Sequence, residues 1–192
     1  MRVAEELRYL VLAAQREGHR LLARQLRPFG LTPSQAEVLR VLSKHAPLAL
    51  NGLGELLVCE SGTSPSRLVD RLVPLGAVDR RPSTADRRNV QLALTSEGER
   101  LVAAIEEVEE QIYRLIDSAA TGADTDAVLG FLRNIVSDLP AGQALARRVA
   151  LEEPNDPAAA EARSLGPEGD SAITWAPIPL HEHADGVRGS GW

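Results

Sequence analysis

Six arginines lie between residues 63 and 95: Arg67, Arg71, Arg80, Arg81, Arg87 and Arg88. A guanidinium stays charged at any physiological pH, and its planar fork of donors matches a phosphate or the O6/N7 edge of guanine. The same stretch holds three aspartates, Asp70, Asp79 and Asp86, so it is net +3 in a chain of formal net charge −6. Location reconciles the two values: residues 1–150 carry 19 basic and 19 acidic side chains, whereas residues 151–192 carry 2 and 8. A local basic patch on a neutral body is the electrostatic footprint of a surface that meets a polyanion.

Other chemistries have weaker signals. Cys59 is the only cysteine, which excludes an intrachain disulfide and any multi-thiolate zinc site. It is read as a buried turn residue, with a redox switch as the alternative, since a thiolate near a helix end can be activated. His181 and His183, in "HEH", lack the further ligands a metal needs. "GLGELL" opens like a dinucleotide fingerprint, but no strand precedes it and no third glycine follows. No nucleophile–base pair stands out, so an enzyme is not expected, nor is a cofactor or metal. No run of about 18 uncharged apolar residues is present, and the charges in "MRVAEELRYL" interrupt a signal peptide's apolar stretch. No membrane association and a cytoplasmic location are the expectations.

The basic patch needs elements to position it. From Val3, the apolar residues Leu7, Leu10, Val11, Ala14, Leu21 and Leu22 keep helical spacing until "RPFG" breaks it. "TPSQAEVLRVLSKH" predicts a second helix, with Thr32 as N-cap, Pro33 in the first turn and Gln35 closing a capping box. "APLAL" reads as a loop, and Asn51 as the cap of a short third helix. In "SGTSPSRLVDRLVPLG", Ser64 is placed to cap a fourth helix. Its buried stripe is Leu68, Val69, Leu72 and Val73, opposite Ser66, Arg67, Asp70 and Arg71. "AVDRR" and "NVQLALT" alternate as a β-hairpin around "PSTAD". A long helix follows, capped at Thr95 or Ser96, with Leu101, Ile105, Val108, Ile112, Leu115 and Ala119 on its inner face. A sixth, "DTDAVLGFLRNIVSDL", is expected to bury Val128, Leu132, Ile135 and Leu139.

This order predicts a mainly α fold with a small β-hairpin wing: a winged helix-turn-helix with long terminal helices. The segments "GLTPSQAEVLRVL", "LGELLVCESGTSPSRLVDRLVPLGAVDRR" and "TADRRNVQLALTSEGE" resemble the MarR family of bacterial transcription regulators, over roughly residues 5 to 140. The resemblance implies a sequence-specific double-stranded DNA-binding regulator, an effector-responsive repressor acting as a homodimer on a pseudopalindromic operator. Ser64, Ser66, Arg67 and Arg71 would enter the major groove. In the family a wing-tip arginine enters the minor groove, held by an aspartate two residues before it, and that pattern falls on Asp86 and Arg88. Arg80, Arg81 and Arg87 would meet phosphates, which position without reading sequence. Two features depart from the family pattern: the turn "VCESGT" is about one residue longer, and Pro74 should end the fourth helix near Val73.

The body is taken as residues 1–150, with the winged core at about 31–95 and dimerisation helices at about 2–27, 96–119 and 124–139. Those helices carry more apolar residues than a small core can cover, and the family pairs them around a two-fold axis. Many members release DNA when a small organic anion, often phenolic, binds between the dimerisation and DNA-binding parts. Tyr9, His19, His45 and Tyr113 are the candidate polar groups for such a pocket, each also readable as an ordinary packed or surface residue. Residues 151–192, with five Pro and five Gly, read as an acidic, mostly disordered tail. The competing function is a protein-interaction module on the same fold without DNA recognition.

Overall fold

The computed structural model describes residues 1–58, 64–82 and 90–152. Cys59, Asp86, Arg87, Arg88 and the tail from residue 153, His181 and His183 included, lie outside the described residues.

The first helix, α1 (Val3–Leu26), runs into a 3₁₀ turn at Arg27–Phe29, and Gly30 closes it at φ +68°, a conformation that suits glycine. Helix α2 (Pro33–His45) starts on the expected capping box: the Thr32 hydroxyl accepts from the Gln35 amide at 3.3 Å, and the Gln35 side chain accepts from the Thr32 amide at 2.9 Å. Helix α3 (Leu50–Leu56) begins one residue before Asn51, with Ala49 as the N-cap, so Asn51 lies inside the helix and does not cap it. Helix α4 (Pro65–Leu72) ends with Val73 as C-cap, as Pro74 requires. Ser64 occupies its N-cap position but makes no capping bond; its hydroxyl stands 3.1 Å from that of Ser66.

The wing strands are β2 (Val78–Pro82) and β3 (Val90–Leu94), antiparallel with Arg80 opposite Leu92. A short strand within "APLAL", β1 (Leu48–Ala49), adds to the far edge of β3 and gives the order β1-β3-β2. In sequence this segment reads as a loop, since two residues are too few to show alternation.

Helix α5 (Ser96–Ala120) is capped by Thr95, whose hydroxyl accepts from the Gly98 amide at 3.0 Å. The close seating of this helix on the wing depends on Gly98. A Cβ there would stand 2.1 Å from the Ala77 carbonyl oxygen, and the Thr95 amide donates to that same oxygen at 3.2 Å. This gives the "LALT-x-EG" pattern its physical reason.

One core joins these elements. Leu26, Val38, Leu39, Leu42, Leu53, Val69, Leu72, Val78, Leu92 and Ile105 are all within 2% of full burial. Burying a side chain of this size stabilises by about 1.5–3 kcal/mol. Two expectations fail at the C-terminal end. The sixth helix, α6 (Thr125–Val136), does not bury its apolar stripe within the chain: Val128, Leu132, Ile135 and Leu139 are 38–52% exposed. It also stops earlier than expected, and a further helix, α7 (Pro140–Glu152), follows and packs on α3. Pro140 is tolerated because a first-turn proline has no helical hydrogen bond to lose. Among the described residues no helix is long and apolar enough to cross a membrane.

Candidate nucleic-acid interface

Helix α4 sits on the core through Leu68, Val69 and Leu72, and that anchoring turns its other side outward. Ser64, Arg67, Asp70 and Arg71 are exposed and Ser66 is half-buried. Arg67 and Arg71 are one turn apart on the same face. The helix therefore offers two forked cations and two short hydroxyls from a rigid support, which is what reading base edges in a major groove requires.

Among the described residues, one ion pair joins the wing to this surface. The Arg80 guanidinium bonds the Asp70 carboxylate, tying the start of the wing to the exposed side of α4. Both partners are well exposed, so the pair adds little to stability; it brings the Arg80 guanidinium to the outward side of α4, at Asp70. Arg81 pairs with Asp79 in its own strand at 3.1 Å. Strand alternation puts Arg80 and Arg81 on opposite faces of the sheet, a distinction that spacing in the sequence did not draw. The expected orienting pair, Asp86 with Arg88, and the backbone contact expected of Arg87 fall outside the described residues.

The four candidate effector groups are not gathered in one place. Tyr9 is half-exposed on α1, with the Arg8 guanidinium 4.3 Å from its ring centroid. His19 lines a hollow of about 560 Å³ between α1, the start of α2 and α4, together with Arg27, Thr32, Ser34 and Arg71. His45 is partly buried at the end of α2, and its Nε2 has no hydrogen-bond partner among the described residues. Tyr113 lies by Glu109, Arg40 and Arg148; burial and the Glu109 charge push its phenol above the usual value.

Sequence reasoning stopped at Leu139 and so missed Arg147 and Arg148. The signal was present in "PAGQALARRVALE", a proline followed by strong helix formers. On α7, the Arg147 Nε donates to the Glu55 carbonyl at 3.1 Å, and Arg148 pairs with Glu37 at 3.1 Å.

The winged arrangement has close counterparts. A family model described as the MarR family matches residues 29–89. MarR from E. coli in its apo form is 26% identical, with a TM-score of 0.53 over 71% of this chain and 97% of that one. Residues 29–89 thus match the MarR family, and the fold is that of its solved members. A mutant MarR from E. coli complexed with operator DNA is 28% identical, with a TM-score of 0.57 over 68% of this chain and 93% of that one. The S. aureus MepR–DNA complex, at 22% identity and a TM-score of 0.62, shares the fold. The organic hydroperoxide resistance transcriptional regulator of Bacillus subtilis (strain 168) is 30% identical over 98 residues, 51% of this chain. That match spans 66% of the regulator's length, just under two thirds. The match at residues 29–89 covers α2 to the first wing strand and leaves α1, β3, α5, α6 and α7 beyond it.

Proposed function

We propose that this protein is a sequence-specific double-stranded DNA-binding transcription regulator. The observation that carries the reading is the continuous outward surface of Ser64, Ser66, Arg67 and Arg71 on α4, with Arg80 held beside it by Asp70. A MarR-family relative of 28% identity has been solved with operator DNA, which supports the same use of this surface. In this reading Arg67 and Arg71 address guanine edges, a good bidentate pair being worth about 1–3 kcal/mol of discrimination. Arg80, Arg81 and Arg87 hold phosphates, and Asp86 orients Arg88 for the minor groove.

The regulator acts as a homodimer. Leu10 and Val11 on α1, and Val128, Leu129, Phe131 and Leu132 on α6, are exposed within one chain. All of these except Leu129 line, with Leu7, Ala14 and Ala127, one almost wholly apolar groove. A second copy burying this surface removes it from water and sets two α4 helices to read half-sites about one helical turn apart. An effector-responsive repressor in the bacterial cytoplasm is the role this implies. The hollow at His19 suits an organic anion, because Arg27 and Arg71 line it and Arg71 would be shared with the DNA. Such a ligand releases the operator only by favouring a geometry that does not bind it.

Selection of bound duplexes from a random pool at fixed salt tests this reading. Enrichment of a pseudopalindrome is the expected result. Failure to bind any duplex at low salt would leave the interaction-module reading in its place.

A further inference from the structure

We infer that α7 is a brace: it ties α6 to the DNA-reading head formed by α2, α3, α4 and the wing, and so fixes the spacing between half-sites that the regulator accepts. This rests on the dimeric DNA-binding reading above.

Two helices leave the head and lose their cover. In α1 the buried residues are Leu21, Gln25 and Leu26, all near its C-terminal end. In α5 the last buried residue is Val108, and Tyr113 and Ile116 beyond it are about half exposed. Few buried contacts leave such a length of helix free to swing about its packed end. The chain continues from α5 into α6, and α7 brings it back to the head. Three residues, Ser137, Asp138 and Leu139, join α6 to α7. The Leu139 amide donates to the Val136 carbonyl at 2.9 Å, and a Cβ on Gly142 would collide with that same oxygen, so the corner is short and close-fitting.

Helix α7 then seats on the head along its length. Ala144 is 3% exposed where α7 packs on α3, and Arg147 Nε donates to the Glu55 carbonyl, in the last turn of α3, at 3.1 Å. Arg148 meets Glu37 of α2 at 3.1 Å, and Glu152 pairs with Lys44 at the end of α2 at 2.9 Å. The exposed pair adds little by itself, so the brace is the sum of the seat and the corner. The head it grips turns as one body. Val38 and Leu39 of α2, Leu53 of α3, and Val69 and Leu72 of α4 are fully buried in one core, so the outward side of α4 follows α2 and α3. With α7 seated, α6 and the head keep one relative orientation. A second copy joined along α1 and α6 then holds the two α4 helices at one separation. An added base pair between half-sites shifts one of them by about 3.4 Å and turns it by roughly 35°, which a braced dimer does not follow. The matched family segment ends at residue 89, so the brace lies outside it.

Two full-length variants test the inference beside the wild type. Two glycines inserted between Asp138 and Leu139 lengthen the corner while leaving α7 whole on α2 and α3, and Ala144→Asp unseats α7 itself. Each protein is titrated on the selected operator, on operators with one or two base pairs added between the half-sites, and on a single half-site. The affinity penalty for the added pairs should fall about tenfold in both variants. Half-site affinity and the salt slope should not move in the insertion variant, because every DNA contact remains. Pulsed EPR between spin labels at Ser43→Cys and Asn134→Cys, with Cys59→Ser and labelled chains diluted in unlabelled ones, reads the brace without DNA. The distance distribution should be narrow in the unaltered corner and broad in both variants. A thermal melt of each variant checks folding. A wild type indifferent to the added pairs would overturn the inference, as would an insertion variant with the wild-type spacing penalty or an equally narrow distribution. If the wild-type chain binds no duplex or is monomeric, the functional reading fails by itself, and the label distances still decide whether α7 braces α6.

Discussion

Substitution of Gly98 by alanine tests the junction that aims the wing. The new Cβ would stand 2.1 Å from the Ala77 carbonyl oxygen and 3.1 Å from both the Ala77 carbonyl carbon and Leu94 Cδ2. Carbon and oxygen sit comfortably at about 3.3 Å or more, so strand and helix must separate by roughly 1 Å. Overpacking of this kind costs about 1–3 kcal/mol. Separation also weakens the bond from the Thr95 amide to the Ala77 oxygen, a further loss of about 1 kcal/mol. Against this, alanine gains about 0.5–1 kcal/mol over glycine in a helix. The net loss is about 1–3 kcal/mol, which lowers Tm by roughly 2–12 °C in a domain of this size. Gly18→Ala in α1 is the control: nothing lies within 4 Å of its Cβ, so Tm should hold or rise slightly. Thermal unfolding by circular dichroism, at one protein concentration so that any self-association is held fixed, makes the comparison. A Gly98→Ala protein as stable as the Gly18→Ala protein would refute the close seating of α5 on the wing.

Three further outcomes are expected. Arg67→Ala should relax base preference at one position per half-site, whereas Arg81→Ala should weaken all duplexes about equally and lower the salt slope by about one per site; equal losses on selected and random DNA for both would break that division. The raised pKa of Tyr113 means that the fold favours its protonated form. Its contribution to stability is therefore complete below the ordinary phenol value near 10 and is lost as pH rises through the raised value. Tyr113→Phe should flatten the alkaline stability curve, and parallel curves for the two proteins would contradict this. Removal of residues 153–192, net −5, should strengthen random-duplex binding at low salt if that acidic stretch repels DNA or competes for the basic patch, and unchanged affinity would show that it does neither.

Local rules carried the reading furthest where one residue settles one feature. Thr32 with Gln35, Pro33, Pro74 and Thr95 each act within a turn of the backbone, and each appears where its chemistry puts it. Asn51 failed because a residue able to cap is not obliged to, and Ala49 takes the position while Asn51 sits in the helix. The stripe of α6 is apolar as expected but lies uncovered within the chain: periodicity reveals which side of a helix avoids water, not what covers that side. The Asp70–Arg80 pair was legible in part, since an aspartate among arginines tends to find one, but which arginine depends on the path of the wing. The roles of Arg147 and Arg148 are tertiary. They lie 92 and 111 positions from Glu55 and Glu37, and no local pattern links them.

The central claim is that the surface of α4 and the wing binds duplex DNA through its arginines. Fluorescence anisotropy of a selected duplex, titrated with the full-length protein at several salt concentrations, tests it most directly. With Arg80, Arg81 and Arg87 on phosphates in both protomers, log K should fall against log salt with a slope of about −5. Absence of binding at low salt, or a slope near zero, would contradict the account.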